Sequence, residues 1–289
     1  MLGVLLLAGC TPQTPVPPAP ADLDFTQRGV AAEMMAELMA AAGSTRVVDV
    51  EFTRTEARVS FVAGQDVTTY AYRDQQISQI DSDIAYVGQA IFDPRAFALD
   101  DIGTLFASAA VIAGSDQSQQ LQIVDYDSGK IYMNVTTNPE SMPVFFSTNA
   151  ALVTPLDPAN TTDLTSALPD VVGSANSVVR IGIGADGSVY ADLPAGDDQI
   201  MHTVRLSRFP VRDQLKSDTA QLEPFDPSLV RPFTLNQILS QASIALDRPL
   251  SSGYDLVIEK QPGDAAPVAS VTMSRKTVQL NLDGTLVTH

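Results

Sequence analysis

The spacing of apolar and polar positions changes period along the chain, and each change marks an element. Val30 to Ala42 is dense in Ala, Met, Leu and Glu. Met34, Met35, Leu38 and Met39 recur there at helical spacing, which predicts a helix ended by Gly43. Val47 to Phe52 then alternates as a half-buried strand does, and Arg58–Val62 and Thr68–Tyr72 repeat the pattern. Phe92-Asp93-Pro94 interrupts the strands. Leu99 to Ile112 predicts a second helix with Ile102, Leu105, Phe106 and Ala109 on one face, and strands are expected at 120–124, 131–135 and 144–146.

The second half reads the same way. A shorter helix is expected over Leu164–Val172, weakened in its middle by Pro169. Strands at 178–181 and 189–191 flank Ala185-Asp186-Gly187, a strong hairpin signal, and Thr203–Leu206 follows. Leu235–Leu246 predicts the last helix, with strands at 255–259, 269–274, 278–282 and a short one at 286–287. Phrases recur between the halves in constant order. Gly43-Ser44 matches Gly173-Ser174 at an offset of 130, as does Val59 with Val189. Phe92-Asp93-Pro94 matches Phe225-Asp226-Pro227 at 133, and Leu99-Asp100-Asp101-Ile102 matches Leu235-Asn236-Gln237-Ile238 at 136. Ordered matches with slow drift point to a tandem duplication. The expected fold class is therefore α+β: two tandem units, each helix–strands–helix–strands, with helices packed on one face of an antiparallel sheet.

Before this body come two unusual segments. Met1-Leu2-Gly3-Val4-Leu5-Leu6-Leu7-Ala8-Gly9-Cys10 places an apolar run before small residues and the sole cysteine. Leu7-Ala8-Gly9-Cys10 resembles the lipobox of bacterial lipoproteins, where peptidase cleavage before Cys leaves its thiol carrying a diacylglyceryl group. The competing reading is a buried strand with a core cysteine. No Lys or Arg precedes Arg28, so the basic flank of a signal peptide is missing and a start codon placed too late is expected. Residues 11–20 hold five prolines, which suits an extended spacer rather than a helix or central strand. The lipobox resemblance implies a signal peptide over 1–9, lipidation at Cys10 and a tether over 10–23. Units over 24–155 and 156–289 come after it. The resemblance also implies attachment to the outer face of the cell membrane through two acyl chains, without a spanning helix.

Composition narrows the chemistry. The 289 residues carry 17 Lys+Arg against 34 Asp+Glu, a net charge of −17, with two His and one Cys. Residues 1–155 hold 18 acidic and 7 basic residues, and residues 156–289 hold 16 and 10. Nucleic acid is a poor partner for such a chain. Multi-cysteine zinc sites and disulfide frameworks lack their ligands, and no cofactor or metal is expected.

The runs 68–78, 91–105 and 122–135 resemble uncharacterised actinobacterial surface lipoproteins. The helix–strands–helix–strands plan is similar to tandem PepSY-like or β-lactamase-inhibitor-like repeats. That resemblance implies cell-surface regulation or protease inhibition and brings no catalytic residues with it.

Several residue groups invite a chemical reading. A Ser-His-Asp triad would need His202 or His289, but no Gly-x-Ser-x-Gly places a nucleophile, and His202 reads as a surface or hairpin residue. Asp125-Tyr126-Asp127-Ser128-Gly129-Lys130 begins like a calcium loop, yet its sixth position is Lys130 and its twelfth Thr136, so a β-turn is the better reading. Asp81-Ser82-Asp83, Asp100-Asp101 and Asp197-Asp198 read as solvated pairs, Asp100-Asp101 also suiting a helix start. A hydrolase using paired carboxylates is a minor reading. Gly182-Ile183-Gly184 lacks the third glycine and following helix of a dinucleotide loop. The Met34, Met35, Met39 stripe reads as core. The expectation is a non-enzymatic, lipid-anchored surface protein that binds a protein or envelope component. The alternative is a carrier of a lipid or small apolar ligand.

Overall fold

The computed structural model describes residues 23–137, 142–196, 198–218 and 221–287, so Cys10, the proline-rich run, Asp197 and His289 lie outside the described residues. The chain is α+β and builds two similar units in succession. The first contains α1 (Val30–Ala42), β1 (Val47–Phe52), β2 (Ala57–Ala63), β3 (Asp66–Arg73), β4 (Gln76–Ile80), α2 (Ile102–Ala113), β5 (Gln120–Asp127), β6 (Lys130–Thr136) and β7 (Val144–Phe146). The second contains α3 (Thr161–Val172), β8 (Arg180–Ile183), β9 (Val189–Gly196), β10 (Gln199–Arg205), β11 (Arg212–Ser217), α4 (Pro232–Leu246), β12 (Asp255–Glu259), β13 (Val268–Met273) and β14 (Lys276–Asn281).

Each unit is one seven-stranded sheet, ordered β4-β3-β2-β1-β5-β6-β7 and β11-β10-β9-β8-β12-β13-β14. The pairings are antiparallel throughout. Four strands walk outward by hairpins, and the chain then returns to the other side of the first strand. The Phe-Asp-Pro phrase makes that return. Phe92 N–H donates to the Val47 carbonyl at 2.8 Å and the Phe92 carbonyl accepts from Val47 N–H at 3.0 Å; Phe225 and Val178 repeat both bonds at 2.8 and 3.0 Å. Asp93 and Asp226 then cap the 3-10 turns Pro94–Ala96 and Pro227–Leu229, accepting from Arg95 N–H at 3.0 Å and Ser228 N–H at 2.8 Å. Hydrogen bonds from Arg95 hold the Asp93 carboxyl down at about 2.

Both helices of each unit pack on one face of its sheet. The first core gathers Met34, Met35 and Leu38 with Val50, Phe52, Val59, Leu105, Phe106 and Ile123; the second gathers Leu164, Leu168 and Val171 with Ile181, Val189, Ile238, Leu239 and Ile258. The methionine stripe is thus core: Met34 and Met35 are buried, and Met39 packs against them half-buried.

Burial also corrects two of the offsets. The buried stripe of α1 (Ala31, Met34, Met35, Leu38) and that of α3 (Leu164, Ala167, Leu168, Val171) stand 164 − 31 = 133 apart. The stripes of α2 (Ile102, Leu105, Phe106, Ala109) and α4 (Leu235, Ile238, Leu239, Ala242) stand 235 − 102 = 133 apart, not 136. Gly43 and Gly173 both end helices, but α1 runs further past its last buried anchor. Val59 lies opposite Val50, whereas the residue opposite Ile181 is Ala191, so Val189 is not its counterpart.

Other differences have local causes. α2 starts at Ile102 rather than Leu99 because Asp101 caps it, accepting from Thr104 N–H at 3.0 Å. α3 begins at Thr161, capped by Asn160, and continues through Pro169 to Val172. Proline removes one N–H from an exposed side while Leu164, Leu168 and Val171 hold the other side to the sheet. The edge strands β4 and β11 have no counterpart in the predicted elements.

The two units are joined by more than chain continuity. Val153 N–H donates to the Phe145 carbonyl at 2.9 Å and Leu156 N–H to the Ser207 carbonyl at 2.7 Å, so the crossing segment pairs with both units. The β5–β6 hairpin, which begins like a calcium loop, is the main tie. Asp127 accepts from Asp213 N–H at 2.6 Å, Lys130 pairs with Asp213 at 2.6 Å, and the Arg212 guanidinium reaches Tyr126 Oη at 2.9 Å while lying over its ring. Phe145 and Phe209 add a ring contact at 5.9 Å. Part-buried and exposed polar ties of this kind contribute about 0.5–1.5 kcal/mol each. The double substitution Asp127→Ala with Phe209→Ala is therefore expected to split urea unfolding from one transition into two. A single unchanged transition would show that the junction does not couple the units.

Candidate functional site

The sheet faces away from the helices carry the titratable groups, and the two units arrange them differently. In the second unit Arg180 stands at the centre of that face. Its guanidinium bonds Asp192 at 3.2 Å, Asp218 at 2.5 Å and Glu259 at 3.1 Å. Desolvation at this site works against the charged form, but the hydrogen bonds to three carboxylates outweigh it and hold the guanidinium far above the usual range. His202 lies in the β9–β10 hairpin, half-buried rather than on the open surface. It sits inside β10 directly across from Asp192, half-buried, donating Nδ1–H to Asp192 Oδ1 at 2.6 Å with its ring 5.2 Å from that of Tyr190. Tyr190 lies across Gly182, where any Cβ would overlap the phenol. Burial pushes the Tyr190 hydroxyl far above its ordinary range. The glycines of Gly182-Ile183-Gly184 therefore make room for Tyr190 and for the Asp186–Ser188 hairpin. With Ile200, Lys216, Val257 and Ser270 these groups line an open trough of about 600 Å³. Among the described residues no hydroxyl is hydrogen-bonded to His202, so the trough shows a His–Asp pair without a positioned nucleophile.

In the first unit the corresponding face holds a carboxylate of another kind. Asp49 is 3% exposed, accepts from Gln122 Nε2 at 2.9 Å through Oδ1, and leaves Oδ2 without a hydrogen-bond partner among the described residues. Burial, then the neighbouring Glu51 charge, pushes its carboxyl up to about 6. Arg58 bonds Glu51 at 3.0 Å and Asp83 at 3.5 Å.

The other acidic positions are engaged locally. Asp100 pairs with Arg28 at 2.9 Å and Asp101 caps α2. Asp125 accepts from Gly129 N–H at 2.9 Å and Ala90 N–H at 2.8 Å. The Asp198 carbonyl accepts from Asp218 N–H at 3.0 Å, and Asp81 is exposed. Among the described residues no group of three or more His, Cys, Asp or Glu is placed to hold a metal ion. Among the same residues no helix is long and apolar enough to cross a membrane.

The most distinctive surface has no single motif in the sequence. Leu168, Pro169 and Val172 of α3, Ile181 of β8, and Pro227, Val230 and Pro232 of the turn entering α4 line an open apolar groove of about 450 Å³. The positions 133 earlier explain it. Met35, Met39, Phe97 and Leu99 stand where unit two has Leu168, Val172, Val230 and Pro232. Phe97 and Leu99 are buried, and Phe97 packs edge-on against Phe92 at 5.3 Å. Three of the four exchanges remove side-chain bulk, Met35 and Leu168 being of nearly equal volume, and in unit two these positions line an open groove. Phe233 (72% exposed) and Leu229 (48% exposed) adjoin lining residues in sequence. A second, smaller apolar pocket of about 140 Å³ lies at the unit junction, lined by Ile112, Phe145, Val153 and Arg208 among others.

No protein-family model and no curated protein sequence matches the chain. Among solved structures, one similar chain is the Helicobacter pylori beta clamp bound to a DNA ligase peptide, at 9% identity and a TM-score of 0.16, covering 87% of this chain and 63% of that one. At that TM-score the likeness carries no argument.

The buried Asp49 generates a pH prediction. Its folded carboxyl titrates near 6 against an ordinary 3.8, so its contribution is fully favourable below 3.8 and is lost as pH rises through 6. Asp49→Asn is expected to stabilise the protein by about 1–2 kcal/mol at pH 7.5 and to flatten the decline between those two values. Urea unfolding at a series of pH values measures both; parallel curves for the two proteins would contradict it.

Proposed function

We propose that the protein is a lipid-anchored, non-enzymatic surface lipoprotein whose second unit binds a protein or envelope component. One observation carries the binding part: the same scaffold occurs twice, with Phe97 and Leu99 in the first unit where the second has the smaller Val230, buried at the groove's floor, and the half-buried Pro232 at its rim. Exposed apolar patches flanked by polar residues mark binding surfaces, and aromatic side chains such as Phe233 concentrate binding energy there. The anchoring part rests on Leu7-Ala8-Gly9-Cys10 and the prolines after it. The tether would hold the two units off the membrane at its outer face.

A binding role is supported over a catalytic one by the way the polar groups are spent. His202 is pinned between Tyr190 and Asp192, and Asp192 in turn serves Arg180. The net charge of −17 disfavours nucleic acid. The carrier reading has its support in the same apolar lining. The groove is open to solvent, however, whereas small-ligand sites bury about 70–90% of what they hold.

Two cell-based measurements test this reading together. Cys10→Ser is expected to move the chain from the membrane fraction to the soluble one and to abolish labelling by a fatty acid. A photo-crosslinking residue at Ser228, beside the groove, is expected to give a discrete adduct in intact cells, while one at Thr272 on the opposite sheet face gives none. A chain that stays with membranes after Cys10→Ser, or equal labelling from both positions, would refute it.

A further inference from the structure

The lining of the groove specifies its occupant, provided that this face is the binding surface proposed above. We propose that it takes an extended segment of a partner protein presenting an aromatic and an aliphatic side chain close together, followed directly by an acidic residue that meets Arg231.

The apolar half of the specification comes from the first unit. There the same space is filled by Phe97, Leu99, Met35 and Met39 from the chain itself, with Phe97 edge-on to Phe92. In the second unit Phe225 keeps the place of Phe92, but Val230 stands where its ring partner would be. Val230 is itself buried, so the floor of the groove lies where unit one carries an aromatic ring, next to the aliphatic position of Leu99. Pro169, Pro227 and Pro232 stiffen the lining, so little conformational freedom is lost there on binding.

The polar half comes from Arg231, which stands at the position of Ala98 between the two truncated residues. It is exposed and has no carboxylate partner among the described residues, in a chain where acids outnumber bases two to one. A free guanidinium at the edge of an apolar groove recognises a carboxylate, bidentately where geometry allows. In the first unit the sequence after Phe97 reads Ala98-Leu99-Asp100-Asp101, which holds the whole specification in five residues.

That segment supplies the probe. The chain contains no tryptophan, so a blocked hexapeptide Ala-Trp-Ala-Leu-Asp-Asp, copying residues 96–101 with Trp for Phe, reports its own binding by fluorescence anisotropy. With the full chain carrying Cys10→Ser, saturable binding with a dissociation constant on the order of 0.1 mM is expected. Val230→Phe, which refills the space, should weaken it at least about tenfold. Arg231→Ala should weaken it about three- to tenfold, and a probe with Asn for both Asp should lose the same factor. Circular dichroism checks that both variants fold, and Arg231→Ala, being at the surface, keeps the test valid if Val230→Phe does not. The proposal is overturned by absence of saturation at millimolar peptide, or by equal affinity in wild type and Arg231→Ala. Displacement of the peptide by decanoate at lower concentration than unlabelled peptide would also overturn it, in favour of an acyl ligand. So would a groove-dependent dimer in sedimentation, in favour of a second copy. Failure of the probe with the Ser228 adduct still present would reject only this partner chemistry. Loss of both would reject the binding reading as well.

Discussion

Seven antiparallel strands cannot be laid down in a single run of hairpins when the first strand ends in the middle of the sheet. The chain must leave the far edge, return to the centre and start again on the other side. In both units that return is pinned by one pair of backbone hydrogen bonds, Phe92 with Val47 and Phe225 with Val178. The capped 3-10 turn after each bridge sets where the second helix begins. It also delivers the residue after the turn, Phe97 or Val230, into the space beside the first helix. The core, the helix pair and the groove all depend on that placement.

The same constraint lets the two units diverge without changing fold. Their inner faces keep matched apolar stripes at one offset, since any polar residue there would be buried without a partner. Elsewhere they differ. One outer face isolates Asp49 beside Glu51, and the other surrounds Arg180 with three carboxylates and sets His202 against Tyr190. The residue after the turn differs in size, Phe97 in one unit and Val230 in the other, and is buried in both.

Much of the architecture is legible in the residues. Val30–Ala42, Val47–Phe52, Val144–Phe146 and Asp255–Glu259 have the ends their patterns predict, because each combines a clear period with a clear stop. The edge strands Gln76–Ile80 and Arg212–Ser217 do not show, since a strand paired on one side only needs few apolar positions. Repeat matching places the Phe-Asp-Pro turn correctly but misplaces α4 by a turn, because Leu235 resembles Leu99 in type while sharing the place of Ile102. Asp192, His202 and Arg180 are unremarkable in sequence; only the register of β8, β9 and β10 brings them together. Asp125–Lys130 looks like a cation loop, and its carboxylates prove to serve backbone N–H groups and the junction. The groove is a loss of volume at three separated positions, and volume is legible only once equivalent positions are aligned in space.

If the groove of the second unit is the vacated counterpart of a sealed site in the first, a single large side chain should close it. A crystal structure of the full chain carrying Val230→Phe tests this most directly. The introduced ring is expected to turn inward beside α3 and pack edge-on against Phe225 at about the 5.3 Å seen between Phe92 and Phe97, with the backbone of the turn unmoved. A ring turned out to solvent, or a turn displaced from the Val178 bridge, would contradict it.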